Sequence, residues 1–148
     1  MKTIIVCGFS LIALSATAVS LQLHSQIGPS FAPSSSAGGN SDLPLISPDG
    51  RFVLFTSTAD NLALNTNSQP FRSPLPSCYN VFLRDRASNT TVLVSVSADG
   101  TSAADQNAFP TGISANGQFA LFETAADNLL AAATNGADEV FLRDVLNG

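Results

Sequence analysis

The chain holds few residues with the chemistry of a catalyst. His24 is its single histidine, and it stands near the N-terminus, far from the patterned part of the sequence. A serine or cysteine nucleophile needs a base positioned against it, and no histidine is available for that beyond residue 24. Cys78, without a histidine partner, is expected to be a small apolar filler, since reactivity requires a lowered thiol pKa. Carboxylates remain as acid–base candidates. Asp60 and Asp127 recur in two matching segments, however, and so do Asp85 and Asp144. A residue repeated in each copy of a unit is expected to serve the unit's fold. Asp60-Asn61 and Asp127-Asn128 are expected to bond loop backbone, the ordinary role of Asx in turns. Arg84-Asp85 and Arg143-Asp144 are expected to make polar contacts between strands or sheets.

Two further groups could bind rather than catalyse. Thr134-Asn-Gly-Ala-Asp138 resembles part of an Asp-x-Asn-Gly-x-x-Asp loop with the oxygen-rich look of a calcium loop, which makes Asn135 and Asp138 calcium candidates; Ala133 stands where the first Asp would be, and one clear carboxylate is a thin ligand set for a hard cation. No other cofactor is expected. Residues 63–79 form a proline-rich loop carrying Phe71, Arg72 and Tyr79, residue types favoured in recognition. The competing reading is a tolerated surface insertion, because lengthening a loop costs little.

The elements that must position these residues come from a duplication. Asp49-Gly-Arg-Phe-Val-Leu-Phe-Thr-Ser-Thr-Ala-Asp-Asn-Leu62 matches Asn116-Gly-Gln-Phe-Ala-Leu-Phe-Glu-Thr-Ala-Ala-Asp-Asn-Leu129 at eight of fourteen positions, at an offset of 67. Asn80-Val-Phe-Leu-Arg-Asp85 matches Glu139-Val-Phe-Leu-Arg-Asp144 at five of six, at an offset of 59, so the first copy holds eight extra residues in its middle loop. Upstream, Pro44-Leu-Ile-Ser47 answers Pro110-Thr-Gly-Ile-Ser114. Each copy is a supersecondary unit. Strands are predicted at 51–56, 81–84 and 91–97, entered or left through the turn dipeptides Asp49-Gly50, Asn116-Gly117 and Asp99-Gly100. A short helical turn within 125–133 is the one alternative to strand and loop. Phe52-Val-Leu-Phe55 and Val81-Phe-Leu83 are continuous apolar runs, which predicts cover on both faces; 91–97 alternates as an outer strand does.

These motifs resemble the TolB-like, WD-related β-propeller repeats of exported bacterial proteins. The first copy carries that pattern at Pro44, Ile46, Ser47, Asp49, Gly50, Arg51, Val53, Phe55, Ser57, Ala59, Asn61 and Leu62, then at Val81, Phe82, Arg84 and Asp85. The second copy departs at Asn116, Gln118 and Ala120. The resemblance implies an all-β fold of antiparallel, blade-like sheets: a partial β-propeller of about two units, 41–100 and 101–148. It is almost silent on function, because propellers serve many tasks. The second unit lacks its last strand, since Asn147-Gly148 aligns with Ser88-Asn89. Two units do not close a ring, which takes about four to eight. Either the chain is a fragment of a longer protein, the favoured expectation, or residues 19–25 supply the strand.

The N-terminus carries an address. Lys2, the apolar run 4–14 and Ala16-Thr-Ala18 have the pattern of a secretory signal peptide over 1–18, in helical form while it lasts. An uncleaved anchor is the alternative. Residues 19–40 are a Ser/Gly/Pro-rich lead-in. The rest of the composition narrows the partners. A formal charge of -5, a single lysine and five scattered arginines leave no footprint for nucleic acid or for an anionic membrane surface. No stable membrane insertion is expected after cleavage. Only Cys78 then remains, so stability must come from packing. The expected protein is a non-enzymatic, periplasmic or secreted scaffold for an unknown protein or cell-surface ligand, with a homo-oligomer open to it if it folds. The competing class is an accessory propeller domain of an exported hydrolase.

Overall fold

The computed structural model describes residues 38–65, 67–69, 71, 77–131 and 136–148. The fold is all-β, and no helix occurs among the described residues. The signal-peptide segment and the strand candidate at 19–25 lie outside them.

Seven strands make two antiparallel sheets. The first runs in the order β1 (Ser41–Ile46), β2 (Phe52–Ser57), β3 (Asn80–Asp85), β4 (Thr90–Leu93). The second runs β5 (Ala108–Ile113), β6 (Phe119–Thr124), β7 (Glu139–Asp144). The duplication in sequence is thus a duplication in space, with each sheet a meander of neighbouring strands.

One turn opens β2 and β6 and recurs between the sheets. Ser47 Oγ donates to Asp49 Oδ1 at 2.6 Å, while Arg51 N and Phe52 N donate back to Asp49 Oδ1 and Ser47 Oγ. The same bonds join Ser114 to Asn116 with Gln118 and Phe119, and Ser97 to Asp99 with Thr101 and Ser102. The fourth residue is glycine each time, at φ near 70° (Gly50 71°, Gly100 71°, Gly117 70°), a conformation that costs other residues about 1–2 kcal/mol. Ser-x-Asx-Gly is therefore a self-contained turn unit, and the sequence holds three.

Two expectations about strand limits need correction. The predicted strand 91–97 stops at Leu93. Beyond it Val94 N donates to Val81 O, and the chain enters a small hairpin closed by Val96 opposite Ala103, so its backbone serves new partners. The proposed match of Pro44 to Pro110 is also displaced. Ser41 pairs with Ser57 and Ala108 with Thr124, which holds the offset at 67 and sets Pro44 level with Thr111. Both first strands bulge there, where the register slips between Asp42 and Leu45 and between Pro110 and Gly112, with Leu43 at φ 49°. Residues 125–131 are bends and coil, so no helical turn forms there.

The sheets stack face to face, with β5 lying against β1, β2 and β3. Leu54, Val81 and Leu83 of the first sheet share one apolar cluster with Ala108, Ala120 and Phe122 of the second. Hydrogen bonds also cross the seam, among them Thr56 Oγ1 to Ala108 O at 2.9 Å, Ala108 N to Tyr79 O at 2.8 Å and Tyr79 N to Asn107 Oδ1 at 2.9 Å. The opposite face of the first sheet packs Val53, Phe55, Phe82 and Leu93 under Ala59, Leu62, Val96 and Phe71. β2 and β3 are therefore covered on both faces, as their continuous apolar runs require. β6 carries nearly the same run but is covered on one side only: Ala120, Phe122 and Thr124 are buried, while Phe119, Leu121 and Glu123 are exposed. Among the described residues, cover lies over the outer face of the first sheet and not over that of the second.

Candidate functional site

Strand direction sorts the loops into two ends. The described residues 38–40, 58–65, 67–69, 71, 77–79, 94–107, 125–131 and 136–138 gather where β2 and β6 finish, and the turns 47–51, 86–89, 114–118 and 145–148 gather at the other end. The first end holds Phe71, Tyr79 and Asp138, the described residues that the sequence marked for binding.

That end is built on asparagines. Asn61 Oδ1 accepts from Gly38 N at 2.9 Å, and Asn128 Oδ1 accepts from Asp105 N at 3.2 Å, the same bond at the same offset in each unit. Asn128 Nδ2 also donates to Ala103 O. Asn61 and Asn128 do bond backbone, but across more than twenty residues rather than within a local turn. Asn80 plays a further part, buried at the start of β3. Its Oδ1 accepts from Ser95 Oγ at 2.7 Å and Ala104 N at 3.0 Å, tying the first sheet to the hairpin that leads to the second. Its counterpart is Glu139, the one mismatch in that segment.

Phe71 is half-buried and packs on the Phe55–Phe82 cluster, so it covers the back of the first sheet. Arg72 and Asn135 lie outside the described residues. Tyr79 is half-buried, its ring 6.2 Å from that of Phe109. Asp138 is exposed, and no three His, Cys, Asp or Glu side chains converge among the described residues as a metal-holding group would. Cys78 Sγ reaches Asp105 O at 3.5 Å, and burial pushes its thiol pKa up, away from a reactive thiolate. A cavity of about 10 Å³ between Phe71, Cys78 and Phe82 is large enough for no more than a water molecule.

The structure adds one pair that the repeat pattern concealed. Asp105 Oδ1 accepts from Asp127 N at 3.3 Å, and the two carboxyl groups are neighbours. Desolvation, then the nearby Asp127, raises the Asp105 pKa above its ordinary value. Asp127 was visible as a repeated residue; Asp105 has no repeat partner of its own type, because its counterpart is Gly38. No other signal in the sequence would have found it.

The opposite end has its own charges. Arg51 forks onto Asp85 with bonds of 3.0 and 2.8 Å, which holds that carboxyl far below the usual carboxylate range. In the second unit Gln118 Nε2 donates to Asp144. Both aspartates also accept from the next turn, Asp85 from Ala87 N and Ser88 N, Asp144 from Leu146 N and Asn147 N. Arg84 is buried and donates to Asn89 and Thr91 on β4 and its approach. Arg84, Asp85 and Asp144 thus make polar contacts within and between strands, whereas the Arg143 side chain makes none among the described residues. All four described arginines stand on this half, while Asp60, Asp105, Asp127 and Asp138 stand on the other.

The chain matches no known protein family, no curated protein and no solved structure. No helix among the described residues is long and apolar enough to cross a membrane.

Proposed function

We propose that this chain is an exported, non-catalytic recognition scaffold of propeller-type repeats, and that it meets its ligand at the end where the asparagine-tied loops gather. The observation that carries this reading is the separation of side chains between the two ends. The loop end carries Asp60, Asp105, Asp127 and Asp138 and the Tyr79–Phe109 ring pair, while the described arginines occupy the other end. Rigid sheets with adaptable loops at one end are the usual arrangement of a binding surface. Aromatic rings supply area and orientation, and a carboxylate rim favours a partner with complementary positive charge. The ligand class is therefore a protein or cell-surface molecule presenting cationic groups. The export address rests on residues 1–18.

The test is a binding screen of the secreted chain against envelope proteins and surface glycans. Saturable binding should weaken at least about tenfold in Tyr79→Ala, a loss typical of an aromatic anchor. Asn147→Ala, at the far end, should leave it unchanged. Equal losses in both variants, or no saturable ligand at all, would count against the loop end. N-terminal sequencing of the secreted protein checks the address: it should begin at Val19.

A further inference from the structure

Among the described residues a strand lies on the outer edge of β3 and none lies on the matching edge of β7. In the first sheet that edge of β3 receives β4, with Phe82 opposite Leu93 and Arg84 opposite Thr91. In the second sheet β7 ends the order and pairs with β6 alone among the described residues. Val145 N donates to Gln118 O, and Arg143 and Phe141 stand opposite Ala120 and Phe122. By alternation the peptide groups of Glu139, Phe141 and Arg143 turn toward β6, and those of Val140 and Leu142 turn outward. Gly148 N donating to Asp144 O marks the same outward side. The Val140 and Leu142 side chains are 69% and 64% exposed. Glu139 and Arg143 have no side-chain hydrogen bond or ion pair among the described residues, whereas Arg84 is engaged by Asn89 and Thr91. An uncovered apolar edge of this kind is a template for another strand.

We propose that a second copy of this chain occupies the edge, its β7 antiparallel to the first about a two-fold axis at Phe141. The segment is self-complementary in this register. Val140 stands opposite Leu142 of the second copy, and Leu142 opposite its Val140, so the outward peptide groups meet as two hydrogen-bonded pairs. Glu139 stands opposite Arg143 of the second copy, twice, which gives both charged groups the partner they lack. Directly opposed residues share a face, so the ion pairs lie on one side and the aliphatic pairs on the other. Moving the register by one residue sets outward peptide groups against inward ones. Moving it by two sets Val140 against Asp144, or brings Glu139 opposite Phe141. Only the axis at Phe141 matches both charge and hydrophobicity, and an isologous pair of this kind closes on itself. The pairing follows from the register of β7 and is independent of the recognition reading.

Sedimentation velocity on the chain, expressed from its own Met1 in a secreting host, tests the pairing. Concentrations of about 1–200 μM span the affinities expected of a small interface. The expected result is a reversible monomer–dimer equilibrium. Glu139→Arg and Arg143→Glu should each weaken the dimer at least about tenfold by setting like charges opposite. The double exchange should restore it to within about threefold, because both pairs are then inverted together. Leu142→Pro, whose lost N–H points outward, should abolish the dimer and leave the circular dichroism of the monomer intact. A monomer throughout, a dimer that the double exchange does not restore, or an open series of larger species would overturn the proposal.

Discussion

Glycine 117 offers the sharpest perturbation of the stacked sheets. A Cβ built there would lie 2.5 Å from Phe52 Cγ and 2.6 Å from Cδ1, across the seam between the two units. Carbon atoms in contact rest about 3.5–4.0 Å apart, so the ring would have to retreat by about 1 Å or more. Gly100 fills the same place in the middle copy of the turn, at nearly the same φ, with nothing within 4 Å. Gly100→Ala thus isolates the backbone cost, about 1–2 kcal/mol. Gly117→Ala adds the overpacking of a formed core, about 1–3 kcal/mol more. The assay is urea unfolding followed by circular dichroism, with midpoints compared at constant slope. In a Phe52→Ala background the excess at Gly117 should vanish, because the ring that causes it is gone. Equal costs at the two glycines, or an excess that survives removal of Phe52, would refute the packing of Phe52 on the second unit's turn.

Three other substitutions probe separate links. Asn80→Ala removes the acceptor for Ser95 Oγ and Ala104 N in a buried setting and should cost about 2–4 kcal/mol in thermal or urea unfolding, since stranded polar groups lose their full solvation. Phe71→Ala should cost about 1–2 kcal/mol, because a half-buried ring leaves the cluster that covers the first sheet; unchanged stability would return Phe71 to the recognition loop. Asp105→Asn should stabilise the protein at neutral pH and make little difference near pH 3. The sign follows from the raised Asp105 pKa: the wild-type group favours the folded state below its unfolded value and loses that contribution as pH rises through its folded value, a loss the amide does not share. A stability difference that shrinks as pH rises would contradict the assignment.

Local chemistry was easy to read and long-range register was not. The turns at Asp49-Gly50, Asp99-Gly100 and Asn116-Gly117 declare themselves because every bond they make lies within six residues, although the part played by the serine two residues before each Asx came only from the structure. The strands around Phe52–Phe55 and Val81–Leu83 were legible for a similar reason: their apolar runs record how many faces are covered. Phe119–Phe122 has nearly the same run with one wet face, because composition cannot state whether a neighbour is present. Phe71 as cover, Asn80 as a tie and Asp105 beside Asp127 all depend on which loops meet at one end of the stack. That is set by sheet stacking, and nothing in the local sequence encodes it. The prolines at 44 and 110 misled by their identity alone, since the bulges place them one residue apart in the repeat.

The stacking of the two units is tested most directly by nuclear Overhauser contacts between the Phe52 ring and the Gly117 Hα protons in the labelled chain. A strong contact is predicted, together with one between the Leu54 and Ala120 methyl groups of the same cluster. Absence of both, with the intrasheet contacts between β2 and β3 intact, would mean that the two sheets fold without meeting, and a loop end shared by the two units would not exist.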